Sequence, residues 1–209
     1  KMFEEVVEFE VDHITSRWAH VYSSGNTLLL AEPVADWWWF WRNSNWEEAT
    51  NIHIYDISDS TETQYLSSGR VNGTVQDQFS ISEYQGLIRV ASTSNNWGLW
   101  WIIDAFDNNE QNDPTGPTNQ VSILEDNGDG TLDLIGYLGN IAPGETIWSA
   151  RFIGERAYLV TFQNIDPLWV IDLSEPSNPT ILGELEVPGV STYIHPIDNN
   201  LLLTIGIAP

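Results

Sequence analysis

Apolar residues in this chain come in short bursts separated by turn-forming residues, and the bursts recur as a phrase. The segments RWAHVYSSGNTLLLAEP (17–33), DQFSISEYQGLIRVAST (77–93) and IWSARFIGERAYLVTFQ (147–163) each hold two apolar runs around a short polar turn. Trp18, Phe79 and Trp148 stand ten residues before Leu28, Arg89 and Tyr158, and Tyr193 stands ten before Leu203 in STYIHPIDNNLLLTIG (191–206). A third run follows each full pair: NIHIYDIS (51–58), NQVSILED (119–126) and PLWVIDLS (167–174). The stretches DSTET, NGDGT and EPSNPT come next, and their Gly, Pro, Asn and Asp residues favour tight reversal. TQYLSSGRVNG, LDLIGYLGNIA and TILGELEVPG close the units. The runs are rich in β-branched and aromatic residues and lack helical periodicity, so each reads as a strand.

The repeating unit is therefore four short strands, in its shortest form roughly 43 residues, a length and pattern that predict an all-β β-propeller of tandem four-stranded antiparallel blades. A blade is covered on both faces by its neighbours, which explains near-continuous apolar runs such as LWVI where a half-exposed strand would alternate. A β-sandwich would not repeat the same four-part phrase three times. The expected divisions are a last strand of a preceding blade (3–13), blades at 14–75, 76–144 and 145–190, and the start of a further blade at 191–209. Such an arc is expected to be part of a longer protein or to close by self-association, because lone blades leave strand edges and apolar faces open.

Charge narrows the partners. Thirty acidic residues face seven basic ones, a formal net charge of −23, and Lys1 is the only lysine. Phosphate backbones need clustered cations, so nucleic acid is excluded as a partner and anionic membrane surfaces are disfavoured. The acidity suits solubility in a salty or calcium-rich medium, or attraction of a cationic ligand or Ca²⁺. Cysteine is absent, which removes disulfides, thiolate catalysis and cysteine metal sites. The opening KMFEEVVEFEVD reads as strand rather than as an apolar leader, and no run approaches the length of a membrane-spanning helix.

The phrases ERAYLVTFQNIDPLWVIDLSEPSNPTILGELEVPG, STYIHPIDNNLLLTIG and SSGRVNGTVQDQFSISEYQGLIRVAST resemble a family of secreted bacterial and archaeal proteins with a C-terminal β-propeller domain distantly related to WD40 repeats. The match covers most of 50–206. The resemblance implies an exported or cell-surface protein and a longer parent domain, and it carries no catalytic residues over to this chain.

Two insertions break the repeat between second and third strands. The third unit spends only QNIDP there, the first spends EPVADWWWFWRNSNWEEAT (32–50) and the second STSNNWGLWWIIDAFDNNEQNDPTGPT (92–118). Eight of the eleven tryptophans fall in them: Trp37, Trp38, Trp39, Trp41, Trp46, Trp97, Trp100 and Trp101. Equivalent loops of adjacent blades leave the same face of the disc side by side. The rings could pack on one another as a satellite cluster, or stand exposed as a platform for sugars, a peptide or another protein. Asp36, Glu47, Glu48, Asp104, Asp107, Glu110 and Asp113 would ring that platform. Aromatics with carboxylates suit carbohydrate stacking and, through cation–π contacts, a cationic guest.

Other chemistry is thinner. EDNGDGTLD (125–133) has the look of a Ca²⁺ loop, but Gly128 and Gly130 occupy positions that would need oxygen ligands, so it reads as a hairpin turn. DNNEQNDPTG (107–116) is richer in oxygen donors without a defined loop pattern. His13, His20, His53 and His195 are scattered, and His195 in YIHP is placed to face a propeller channel as a base or metal ligand. No G-x-S-x-G, H-E-x-x-H or phosphate-cradling glycine loop occurs. The expectation is a non-catalytic exported binding module with a protein or glycan partner, or self-association, no cofactor beyond Ca²⁺. The alternatives are an extracellular hydrolase using carboxylates or His195 near the channel, and a structural component of a surface assembly.

Overall fold

The computed structural model describes residues 18–34, 48–59, 61–94, 116–162, 167–186, 189–198 and 201–207. They hold fourteen strands, one 3₁₀ turn at Gln78–Ser80 and no α-helix among the described residues. The first sheet is β1 (His20–Ser24), β2 (Thr27–Pro33), β3 (Ala49–Asp59) and β4 (Glu62–Asn72). The second is β5 (Ile81–Tyr84), β6 (Leu87–Ser94), β7 (Thr118–Asp126) and β8 (Leu132–Ile141). The third is β9 (Thr146–Ile153), β10 (Arg156–Phe162), β11 (Pro167–Asp172) and β12 (Thr180–Glu186), and β13 (Val190–Asp198) pairs with β14 (Leu201–Ile207). Each four-stranded sheet runs in sequence order with antiparallel neighbours. The predicted strand 3–13 lies outside the described residues.

Period-two alternation explains why strands buried on both sides read as unbroken apolar runs. In the second sheet Ile88, Val90 and Leu124 join Leu29, Ala31, Ile52 and Ile54 of the first in one buried cluster. Their strand neighbours Ala91, Val121 and Ile123 point the other way and pack with Ala150, Ala157, Leu159 and Ile171 of the third. The third sheet repeats this, turning Tyr158, Val160 and Leu168 toward Ile194 of β13. Fully burying each large aliphatic side chain contributes about 1.5–3 kcal/mol, so these seams between sheets hold the arc together. First strands line the inner wall and fourth strands the outside, where Tyr65, Leu134, Tyr137 and Leu185 are exposed. This is a β-propeller arc.

One part of the sequence phase is corrected. The hairpin turn Gly25–Asn26 stands four residues before Leu29, as Gln85 does before Arg89 and Gly154 before Tyr158. Leu29, not Leu28, is therefore the equivalent position. The one-residue slip changes the face: Leu29 is fully buried and Leu28 only half-buried.

Close approach of backbones sets the spacing between sheets. A Cβ on Gly69 of β4 would lie 2.6 Å from Leu132 Cβ, and one on Gly136 of β8 would lie 1.8 Å from the carbonyl oxygen of Pro176. Gly69 thus meets the first residue of β8, and Gly136 meets the β11–β12 connection. Gly183, which pairs with Val170 on β11 as Gly136 pairs with Ile123 on β7, has open space around it.

Candidate functional site

The long insertions spring from a shared root. Gly73, leaving β4, donates its N–H to the Glu48 carbonyl at 2.7 Å, while Thr50 Oγ1 donates to the Gly73 carbonyl at 2.7 Å. These bonds close the base of the first insertion. The next residue, Thr74, exchanges two backbone hydrogen bonds with Thr93 at the end of β6 (2.8 and 2.9 Å), which is the base of the second insertion. Gly73 has φ +78°, and a Cβ there would meet the Thr93 carbonyl at 2.6 Å, so only glycine fits.

The same device recurs one sheet on. Gly144 donates to the Pro117 carbonyl at 2.8 Å and so closes the second insertion's base. Asn119 is fully buried. Its Nδ2 donates to the carbonyls of Ile141 (3.0 Å) and Glu145 (3.0 Å), and its Oδ1 accepts from Thr93 Oγ1 at 2.7 Å. Thr93 Oγ1 in turn accepts from the Ile147 N–H of β9 at 3.2 Å. Gln120 adds a parallel tie, donating to the Asn72 carbonyl and to Ser94 Oγ at 2.8 Å. A buried polar chain thus runs Thr50, Gly73, Thr74, Thr93, Asn119, Glu145, and through Thr161 to Trp169 Nε1. It puts the ends of β2, β6 and β10 on one rim.

Of the candidate rim residues, Asp36, Trp37, Trp38, Trp39, Trp41, Trp46 and Glu47 lie outside the described residues. So do Trp97, Trp100, Trp101, Asp104, Asp107, Glu110 and Asp113, with His13. Glu48 is described; it is half-buried, and its carbonyl takes the Gly73 bond. The rim of the third sheet carries an aromatic pair that the repeat pattern did not single out as a site. Trp148 and Phe162 lie edge to face at 5.6 Å and remain 40% and 37% exposed. Their strand-end positions beside the short QNIDP connection were the available signal.

The segment 125–133 is the β7–β8 hairpin turn. Asp126 Oδ1 accepts from the Gly128 N–H at 3.0 Å and Asp129 Oδ1 from the Thr131 N–H at 3.0 Å, so the acids serve the turn itself. Comparable turn bonds from Ser58, Thr61 and Ser174 hold the carboxyls of Asp56, Asp59 and Asp172 below the usual range. Among the described residues no three His, Asp or Glu side chains are grouped to hold a metal ion.

Histidines are dispersed. His53 Nε2 stands 3.9 Å from Glu32 Oε2, both half-buried on the first sheet. His195 is exposed on the inner strand β13, stacked on Tyr193, whose hydroxyl lies 3.4 Å from Nδ1. On the same inner wall Arg151 of β9 sits over the Phe79 ring at 4.5 Å and 5.8 Å from the Tyr193 centroid. Phe79 and Tyr193 also touch, edge to face at 5.5 Å. A cavity of about 490 Å³ opens beside this cluster.

A family model described as a beta propeller domain matches residues 4–209. A protein of Methanocaldococcus jannaschii, described as uncharacterized, is 42% identical over 163 residues, covering 78% of this chain and 23% of the relative. An uncharacterized protein of Archaeoglobus fulgidus is 34% identical over 169 residues, covering 79% of this chain and 23% of its own length. The chain thus spans less than a quarter of these curated relatives. No described helix is long and apolar enough to cross a membrane.

Proposed function

Because this chain belongs to the beta propeller domain family, we propose that it is a non-catalytic interaction module, working outside the cell or on its surface, whose binding face is the rim bearing the two tryptophan-rich insertions. Propeller domains commonly mediate protein interactions, and neither the family nor the two relatives indicates a reaction. The observation that carries the proposal is the splice at Gly73–Thr74. It binds the base of one insertion to the base of the other within two residues. The segments 34–48 and 95–117, rich in rings and carboxylates, begin and end at these joined bases. Exposure of Trp148 and Phe162 on the next sheet extends an aromatic surface along the same rim.

Aromatic rings next to acids fit a glycan, through stacking and hydroxyl hydrogen bonds, or a cationic protein surface. The test is a glycan array and a thermal-shift screen with and without Ca²⁺, on the parent and on a Trp38→Ala, Trp41→Ala, Trp100→Ala variant. The reading expects binding to vanish while β-sheet circular dichroism persists. Unfolding of the triple variant would make the rings structural and overturn it.

A further inference from the structure

We propose that the inner wall of the arc holds a second ligand site, centred on Arg151, that takes a small monocarboxylate with a planar apolar body. The cavity there, about 490 Å³, is bounded by first strands of three sheets and by β13, with Tyr22, Phe79, Ile81, Arg151, Phe152 and Pro196 among its walls. Its size lies in the range that encloses small organic ligands, and its walls combine aromatic and aliphatic side chains with the polar groups of Ser23, Gln78, Ser82 and Arg151.

Arg151 supplies the polar anchor. Of the other arginines in the described residues, Arg156 is exposed at the start of β10, and the other two spend donors internally. Arg89 donates to the Gly154 carbonyl and to Ser82 Oγ at 2.7 Å, and Arg70 Nε donates to Asn51 Oδ1 at 3.0 Å. Arg151 makes no hydrogen bond or ion pair among the described residues, although the chain carries thirty carboxylates. Its guanidinium is instead held by the rings of Phe79, in the 3₁₀ turn before β5, and Tyr193 of β13. Ring contact fixes the side chain without consuming N–H donors, and the guanidinium fork matches a carboxylate with two parallel bonds. Anchoring before binding lowers the ordering cost.

Charge decides between oxyanions. A net charge of −23 repels a dianion more than a monoanion, so a monocarboxylate is favoured over a phosphate group. The aromatic walls, Tyr22, Phe79 and Phe152, favour a flat apolar body over an aliphatic acid. The site is separate from the insertion rim. Tyr22 and Phe152 approach the β1–β2 and β9–β10 turns, whereas the insertions leave the opposite strand ends at Pro33 and Ser94.

The experiment is calorimetry and side-chain NMR on the whole chain with benzoate, acetate and inorganic phosphate as probes. Benzoate should bind saturably in the millimolar range, roughly 1 mM, shift the Arg151 Nε–Hε resonance, and bind more tightly than acetate or phosphate. Arg151→Gln should weaken benzoate by at least about tenfold. Arg151→Lys, which keeps the charge and loses the fork, should weaken it by severalfold and serves if the Gln variant fails to fold. A Trp38→Ala change should leave benzoate binding intact. Absence of saturable binding up to about 50 mM, phosphate binding tighter than benzoate, or equal binding by Arg151→Lys and the parent would overturn the proposal.

Discussion

Replacing Asn119 by leucine should cost about 3 kcal/mol, and the reasoning is local enough to be checked. Asn119 is fully buried, and its amide ties β8's end and the β8–β9 connection to the root of the second insertion. Leucine has the same branching and number of side-chain heavy atoms, so no cavity is left. What it removes is the donor pair facing the Ile141 and Glu145 carbonyls and the acceptor facing Thr93 Oγ1. Each buried group left without a partner costs about 1–3 kcal/mol. Three groups at the lower end, because carbonyls retain a second lone pair and the side chain gains apolar burial, come to about 3 kcal/mol. In a chain of this size that corresponds to a Tm lower by about 6–12 °C. Urea unfolding followed by circular dichroism gives the free energy directly. Thr93→Val should be coupled to Asn119→Leu by about 1 kcal/mol in a double-mutant cycle, since the two side chains share one hydrogen bond. A loss below about 1 kcal/mol, or strict additivity of the two changes, would refute the latch.

Two further predictions concern the seams between sheets. Gly136→Ala should destabilise by about 2–4 kcal/mol because the methyl group meets the Pro176 backbone, whereas Gly183→Ala, with open space, should change stability by less than about 0.5 kcal/mol; urea midpoints of the two variants decide it, and similar losses would refute the packing argument. Arg89 occupies a core position, 4% exposed, where Leu29 and Tyr158 stand in the neighbouring sheets, and burial pushes its guanidinium down to about 10. Its folded value lies below the ordinary arginine value, so the burial penalty acts in full at neutral pH and fades only as pH rises through about 10. Arg89→Met, which keeps the stem and discards the buried charge, should therefore cost less than Arg89→Ala, which opens a cavity of the order that costs about 2–4 kcal/mol; the reverse order in urea unfolding would refute this.

The fold was largely legible because each strand's environment is written into the strand itself. A blade buried on both faces needs unbroken apolar runs, and those runs, with their turn residues, mark β2, β6, β10 and their partners to within a few residues. Misphasing of Leu28 against Arg89 has a definite cause: matching Trp18 to Phe79 aligns side chains that do not share a place, since Trp18 is 82% exposed and Phe79 packs on Arg151 and Tyr193. The composition of the insertions was legible, and their rings lie outside the described residues. Their common root was not legible. Gly73, Thr93 and Asn119 are ordinary residues whose meaning lies in contacts across sheets, and no local pattern encodes that. Arg151 was hidden for the same reason, its three-part cluster being drawn from residues 79, 151 and 193.

Why such long excursions are tolerated follows from where the stability resides. Among the described residues, the buried clusters between sheets consist of strand residues and the short connections between them. Sheets in a repeat array draw stability from their own strands and from the interfaces with their nearest neighbours. The second-to-third connections occupy 34–48, 95–117 and 163–166. Extending one from the third unit's length to those of the first two costs only about 1–2 kcal/mol of closure entropy, because the penalty grows with the logarithm of length. One latch of the Asn119 kind offsets that. The polar chain from Thr50 to Trp169 is therefore placed where the sequence variation of the insertions meets the constant frame: it fixes the two roots, leaves the excursions free to differ in composition, and makes loss of a root residue a structural event rather than a change in what the rim binds.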